Sequence, residues 1–146
     1  MDTTLTPYLT FYEPGAMIDF LKNAFDAEEM YAMRDSNGNI GHAEVRMGDS
    51  MLMLARARGE WQPRPSNFYL SVEDVDSVYR KAVAAGGKSL AEPANQFYGD
   101  RHGAVQDLQG NTWWIATHIE DVSPEDLERR HKEWEKKQAT TAGSAT

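Results

Sequence analysis

The sequence predicts an α+β protein of two tandem βαβββ modules followed by a C-terminal helix. Three observations carry this prediction. One helical stripe occurs twice with the same internal spacing, the strands around it repeat at a constant offset, and a separate cap-and-proline signature opens a charged segment near the end.

The first module is read over residues 1–57. It opens on a strand, Tyr8-Leu9-Thr10, followed by a lead-in from Phe11 to Gly15 whose Pro14-Gly15 pair makes the entry irregular. Met17, Phe20, Leu21, Ala24 and Phe25 then fall at i, i+3, i+4, i+7 and i+8, one apolar face of a helix. Met30–Arg34 and Ile40–Met47 flank Asp35-Ser36-Asn37-Gly38-Asn39, where Asn-Gly between alternating runs signals a hairpin. Gly48-Asp49-Ser50 turns the chain into a last strand, Met51–Ala55.

Residues 58–66, polar and carrying Pro63 and Pro65, read as a connector. The second module spans 67–122. Tyr69-Leu70-Ser71 matches the first strand and Trp113-Trp114-Ile115-Ala116 matches Leu52-Met53-Leu54-Ala55, both at an offset of 61 residues. The stripe of Val75, Val78, Tyr79, Ala82 and Val83 repeats the first helix at an offset of 58, and Gly86-Gly87 supplies its stop. Lys88–Ala91 and Arg101–Gln106 give two further strands before the turn Gln109-Gly110-Asn111. A third helix is expected over 123–138. Ser123 stands at its cap, Pro124 at its first position and Glu125 and Asp126 in its first turn. Only Leu127 and Trp134 are clearly apolar there, which suits a solvated face or, alternatively, docking on a partner subunit. Residues 139–146 have the composition of a disordered tail.

The chain has 146 residues, no cysteine and a formal charge of −8. Without cysteine it has neither disulfides nor thiolate metal sites. An acidic chain with no basic stripe excludes a nucleic-acid partner on counterion grounds. Met1-Asp2-Thr3-Thr4 starts neither a basic nor an apolar run and no stretch is long enough to span a bilayer, so the expected location is cytoplasmic, with no membrane association. No glycine-rich loop follows a strand, and no cofactor is expected.

Strand alternation sorts the residues into two faces. Ala43, Val45 and Met47, with Leu9, Phe11, Phe68, Leu70, Val72, Trp113 and Ile115, belong under the helices. The opposite face holds Thr6, Tyr8 and Thr10; His42, Glu44 and Arg46; Met51 and Met53; Asn67, Tyr69 and Ser71; and Trp114, Ala116 and His118. Such a mixture of aromatics, thioethers and a few convergent polar groups is what lines small-molecule pockets.

Paired βαβββ modules, the phrase Ile40-Gly41-His42-Ala43-Glu44-Val45, the run Val72-Glu73-Asp74-Val75-Asp76, Phe97-Tyr98-Gly99-Asp100-Arg101 and the segment Gln109-Gly110-Asn111 through His118 resemble the vicinal oxygen chelate superfamily, which unites glyoxalases, bleomycin-resistance proteins and dioxygenases. Among its branches the PhnB-like proteins are the most similar. The resemblance runs from about Thr6 to Glu125. It implies curved mixed sheets around a shared cavity, often completed across a homodimer. It also implies metal-ligand positions on the first and last strand of each module, here occupied by Thr6, Met53, Asn67 and Trp114. None of these is a good ligand for a divalent ion that prefers imidazole and carboxylate.

The expected function is therefore a metal-free small-molecule-binding protein of the glyoxalase/bleomycin-resistance type, taking a planar or cationic compound in the inter-sheet cavity. The candidate binding residues are Tyr8, His42, Glu44, Met53, Asn67, Tyr69, Tyr98, Arg101 and Trp114. Tyr69 and Trp114 would stack on a planar ligand, and Arg101 would clamp an anionic group or pair with Asp100. His42 and Glu44, two apart on one strand, are either a structural pair or an acid/base pair, and the alternative function is a lyase or isomerase using them as catalytic groups or as relocated metal ligands, with His102 as a conceivable third. His118 and His131 read as surface residues.

Overall fold

The computed structural model describes residues 2–144, with side chains described through Thr141. The first module contains β1 (Tyr8–Phe11), α1 (Pro14–Phe25), β2 (Glu28–Arg34), β3 (Ile40–Met47) and β4 (Ser50–Arg56). The second contains β5 (Asn67–Ser71), α2 (Val75–Ala84), β6 (Lys88–Asn95), β7 (Asp100–Gln106) and β8 (Thr112–His118), and α3 (Pro124–Ser144) follows. Each module forms a four-stranded mixed sheet, ordered β1-β4-β3-β2 and β5-β8-β7-β6. The first and last strands of a module pair in parallel and the other neighbours are antiparallel. Tyr8 pairs with Met53 and Tyr69 with Trp114, so the duplication read in the sequence holds at the level of register.

The helices form for local reasons. Pro14 occupies the first turn of α1, where its missing N–H costs nothing. The Pro-Gly pair is therefore part of the helix and not only its lead-in. Asp26 ends α1 in the left-handed region at φ 55° and returns its N–H to the last turn. Asp74 caps α2 through Ser77 N–H at 3.3 Å. Gly86 leaves the same helix at φ +112°, and a Cβ at Gly87 would come within 2.8 Å of the Ala82 carbonyl oxygen.

One core serves both modules. Phe11, Met17, Phe20, Leu21, Val45 and Leu54 of the first join Val75, Ala82, Val105, Trp113 and Ile115 of the second in a single buried cluster. Phe25 of α1 lies 5.0 Å from the Trp113 ring, and Phe68 stacks on that ring at 4.4 Å. Lys81 of α2 donates to Asp26 at the end of α1 at 2.9 Å. At roughly 1.5–3 kcal/mol per large apolar side chain buried, this shared core holds the modules together. The modules thus meet through their helix sides, and both helix-free faces stay open to solvent, with Tyr8 60% and Tyr69 50% exposed.

Two elements run further than their sequence pattern suggests. Strand β6 continues to Asn95 through Pro93, which an edge strand with register shifts tolerates. Helix α3 continues beyond residue 138 to Ser144, so the expected disordered tail is helical over 139–144, and residues 145–146 lie outside the described residues. The start of α3 packs on its own chain. Phe97 contacts the His131 and Trp134 rings at 5.8 and 5.7 Å, and Arg130 donates to Glu120 and to the Phe97 carbonyl. Among the described residues no helix is long and apolar enough to cross a membrane.

Candidate functional site

On the first sheet, β3 turns His42 and Glu44 to the helix-free face while Ala43, Val45 and Met47 are buried beneath α1. The register places Met33 and Ala55 beside His42, and Tyr31 and Met53 beside Glu44. The Tyr8 ring tilts over His42 at 5.8 Å. Both His42 and Glu44 are half-buried. Neither arginine that could neutralise Glu44 does so, because Arg46 pairs with Glu28 and Arg101 with Asp76.

The same face continues into a cavity of about 920 Å³, roofed by the connector between β4 and β5. Its walls include Tyr8, His42, Arg56, Arg58, Trp61 and Arg64. Every lining residue belongs to the first module or the connector, so this cavity is not shared between the two sheets of the chain. Composition alone marks the connector as a spacer. Instead Arg58 and Trp61 exchange two backbone hydrogen bonds, at 3.0 and 2.9 Å, in a turn that Gly59 permits at φ +53°.

On the second sheet, rings converge. His102 lies at the centre, with Trp114 edge-on at 5.3 Å, Tyr98 at 6.0 Å and Tyr69 edge-on at 6.3 Å. His102 Nδ1 is shielded from solvent and has no hydrogen-bond partner among the described residues. Asp100 sits beside the cluster and accepts from the Tyr69 hydroxyl at 2.5 Å and from His118 Nδ1 at 3.0 Å. His118 Nε2 meets Asp121 at 2.6 Å. The Tyr69 hydroxyl is pushed well above its ordinary value, first by burial and then by the hydrogen bond it gives Asp100. That same bond, followed by the His118 contact, holds the Asp100 carboxyl below the usual carboxylate range.

Asp121 and then Asp100 raise the His118 imidazole above its ordinary 6.5. The folded chain therefore favours the imidazolium. The stabilisation is complete below about 6.5 and disappears as pH rises through the folded-state value. An NMR titration of the His118 ring should give a midpoint above 6.5, and Asp121→Asn should bring it down; a wild-type midpoint at or below 6.5 would remove this network from the site.

Of the expected binding residues, Tyr8, His42, Glu44 and Met53 gather on the first sheet, and Asn67, Tyr69 and Trp114 lie on the second with Tyr98 at its edge. Arg101 does not join them. It shares the helix side of β7 with buried Gly103 and Val105 and donates twice to Asp76 of α2, both at 2.9 Å, so neither a ligand clamp nor a bridge to Asp100 describes it. His118 is not an idle surface group, and Asp100, His102, Trp61, Arg58 and Arg64 join the candidate residues. Alternation along β7 carries the signal for two of them, since Asp100 and His102 fall out of phase with Val105.

The positions matched to metal ligands supply a hydroxyl, a thioether, an amide and an indole from Thr6, Met53, Asn67 and Trp114. Met53 lies beside Tyr8, and Trp114 fills space against Tyr69 and His102. This donor set does not fit a divalent metal. Among the described residues no three His, Asp or Glu side chains are grouped to hold one, and His42 and Glu44 stand on a different sheet from His102.

Comparison with known proteins agrees with this architecture. The family model described as Glyoxalase/Bleomycin resistance protein/Dioxygenase superfamily matches residues 10–115. An uncharacterized protein of Mycobacterium bovis is 26% identical over 139 residues, covering 88% of this chain and 91% of its own length. A Mycobacterium tuberculosis relative shows the same identity, over 88% of this chain and 82% of its own. Among solved structures, TioX from Micromonospora sp. ML1 superposes with a TM-score of 0.69 at 22% identity, over 81% of this chain and all of that one. A Nocardioides member of the superfamily gives 0.62 at 16% identity, over 85% and 88%. With two four-stranded βαβββ sheets and a family model spanning most of both, the chain belongs to the glyoxalase/bleomycin resistance protein/dioxygenase superfamily.

Proposed function

We propose that this chain is a metal-free small-molecule-binding protein of the glyoxalase/bleomycin-resistance type that takes a planar or cationic compound on its helix-free faces. The observation that carries this reading is the cluster of Tyr69, Tyr98, His102 and Trp114 on one open face with the Asp100 carboxylate beside it. Aromatic faces attract planar π systems and cations, and a carboxylate next to them favours the cation. The motifs around His42, Asp100 and Asn111 support a place in the PhnB-like branch. The exposed aromatics and methionines of both helix-free faces, Tyr8, Tyr31, Met33 and Tyr69 among them, support a homodimer that brings such faces together around the bound compound. The proposed location is the cytoplasm.

Calorimetric titration with ethidium, a planar cation, tests the reading. Trp114→Ala and Tyr69→Ala should each weaken binding about tenfold, as loss of a stacking partner does. Unchanged affinity in both variants would dismiss this face as the binding surface. Light scattering of the purified protein reads the dimer directly.

A second reading rests on Glu44, a half-buried carboxylate beside His42 that no arginine among the described residues neutralises. It favours a lyase or isomerase in which this pair moves a proton. Here His42→Ala and Glu44→Gln would abolish turnover without weakening ethidium binding.

A further inference from the structure

The cavity under the connector has the opposite electrical character to the chain around it. Three arginines, Arg56, Arg58 and Arg64, line it against a single carboxylate, Glu60, in a protein of net charge −8. Arg56 is fixed at the floor. Its Nε donates to the Ile40 carbonyl at 3.1 Å and its Nη1 to the Tyr12 carbonyl at 3.4 Å. Arg58 and Arg64 differ from the arginines of the strands. Arg34, Arg46 and Arg101 each meet a carboxylate within 2.9 Å, whereas the Arg58 and Arg64 guanidinium groups have neither a carboxylate nor a hydrogen-bond acceptor among the described residues.

The connector also presents its aromatic residue in register with a charge. Arg58 and Trp61 are bridged partners, so their side chains leave the same side of the turn, and Gln62 braces that turn by donating to the Gly59 carbonyl at 2.8 Å. Tyr8 provides a second ring in the cavity lining, over His42. Two guanidinium groups without partners offer forked donors that match a carboxylate, sulfonate or phosphate, and the adjacent rings offer flat apolar surface. A concave, locally positive site also concentrates anions from solution.

We infer that this cavity is a binding site for a planar aromatic anion, with Arg58 and Arg64 holding the acidic group and Trp61 and Tyr8 the ring system. The site lies on the first module and connector, carries the opposite charge preference to the ring cluster of the second sheet, and does not depend on that cluster binding anything.

Two fluorescent probes that differ by one acidic group test the inference: anilinonaphthalene sulfonate and its uncharged counterpart phenylnaphthylamine. The wild-type protein should bind the sulfonate at least about tenfold more tightly than the neutral dye. The double variant Arg58→Gln/Arg64→Gln should lose about tenfold for the sulfonate and stay within about twofold for the neutral dye. Trp61→Ala should weaken both. Both arginines are exposed, so the variant should keep the wild-type unfolding midpoint. Sulfonate affinity that stays within twofold in the double variant, or a parallel loss for both dyes, overturns the inference. Trp114→Ala should leave the sulfonate titration unchanged, which separates failure here from failure of the ethidium face.

Discussion

Replacing Asp107 with alanine is expected to lower the unfolding free energy by about 3–5 kcal/mol, among the largest single losses in the chain. Asp107 is 6% exposed and directly follows β7, with its carboxylate turned inward. It accepts from the Gln109 and Asn111 backbone N–H groups at 2.9 and 3.0 Å, from Asn111 Nδ2 at 2.9 Å and from Trp113 Nε1 at 2.8 Å. Asn111 and Trp113 are 2% and 3% exposed, so water cannot replace the lost acceptor without opening the core. The damage spreads because Trp113 is the ring on which Phe25 of the first module and Phe68 of the second both pack. Asn111 Oδ1 also anchors Ser66 N–H at the end of the connector. Asp107→Asn keeps one acceptor but turns a new donor towards the donors already there, and should cost about half as much. Urea unfolding followed by tryptophan fluorescence measures both. A loss under about 1 kcal/mol for the alanine variant would mean that the turn re-forms its hydrogen bonds elsewhere.

The fold was legible because period and repeat agree. Ala43, Val45 and Met47 alternate with His42, Glu44 and Arg46, and that one strand is enough to orient a sheet whose other strands follow the same rule. The duplication then doubles each observation, and the pairings of Tyr8 with Met53 and of Tyr69 with Trp114 repeat its offset. The extent of β6 was less legible. Pro93 argues against a strand on local grounds, and only its position at a sheet edge makes it tolerable. The end of α3 was illegible for a related reason. Its last residues are small and polar, and nothing in composition distinguishes a solvated helix from a coil.

The site was legible only where strand alternation reaches. Tyr69 and Trp114 follow from it, and so do His42 and Glu44. Arg101 misleads because the segment before β7 resembles a loop over a cavity mouth; the strand in fact begins at Asp100, which sends Arg101 to the helix side and into Asp76. His118 escapes notice because its partners, Asp100 and Asp121, are distant or across a turn in the sequence. The connector arginines are hidden most deeply. Their role depends on how a proline-rich segment folds back over β1 and β3, and composition records only that the segment is polar. Asp107 does leave a trace, since Asp-x-x-Gly-Asn occurs twice, at Asp35–Asn39 and Asp107–Asn111. In both, the aspartate side chain accepts the N–H groups two and four residues on.

Gly99→Ala should be nearly as costly as the loss of Asp107, about 3 kcal/mol, and should in addition dismantle the ring cluster. Gly99 stands at φ +99° between β6 and β7, a conformation that penalises any Cβ by roughly 1–2 kcal/mol. The added methyl would run into the carbonyl oxygen of Glu120 and crowd Val122 Cγ2 at 3.1 Å. The chain can relieve that only by separating two segments that are clasped together, because the Gly99 carbonyl accepts from the N–H groups of Ile119 and Glu120 at 2.8 and 3.0 Å. Each lost hydrogen bond adds about 1 kcal/mol. The neighbours of Gly99 are Tyr98 and Asp100, which supply one ring and the carboxylate of the second-sheet cluster. Displacing them should weaken ethidium binding about tenfold and, by drawing Asp100 away, lower the His118 titration midpoint towards 6.5. Sulfonate binding under the connector, built from another module, should persist. Stability and ethidium affinity that both stay at wild-type levels would mean that the turn is free to move, and that the rings of the second sheet are held in place by the strands alone.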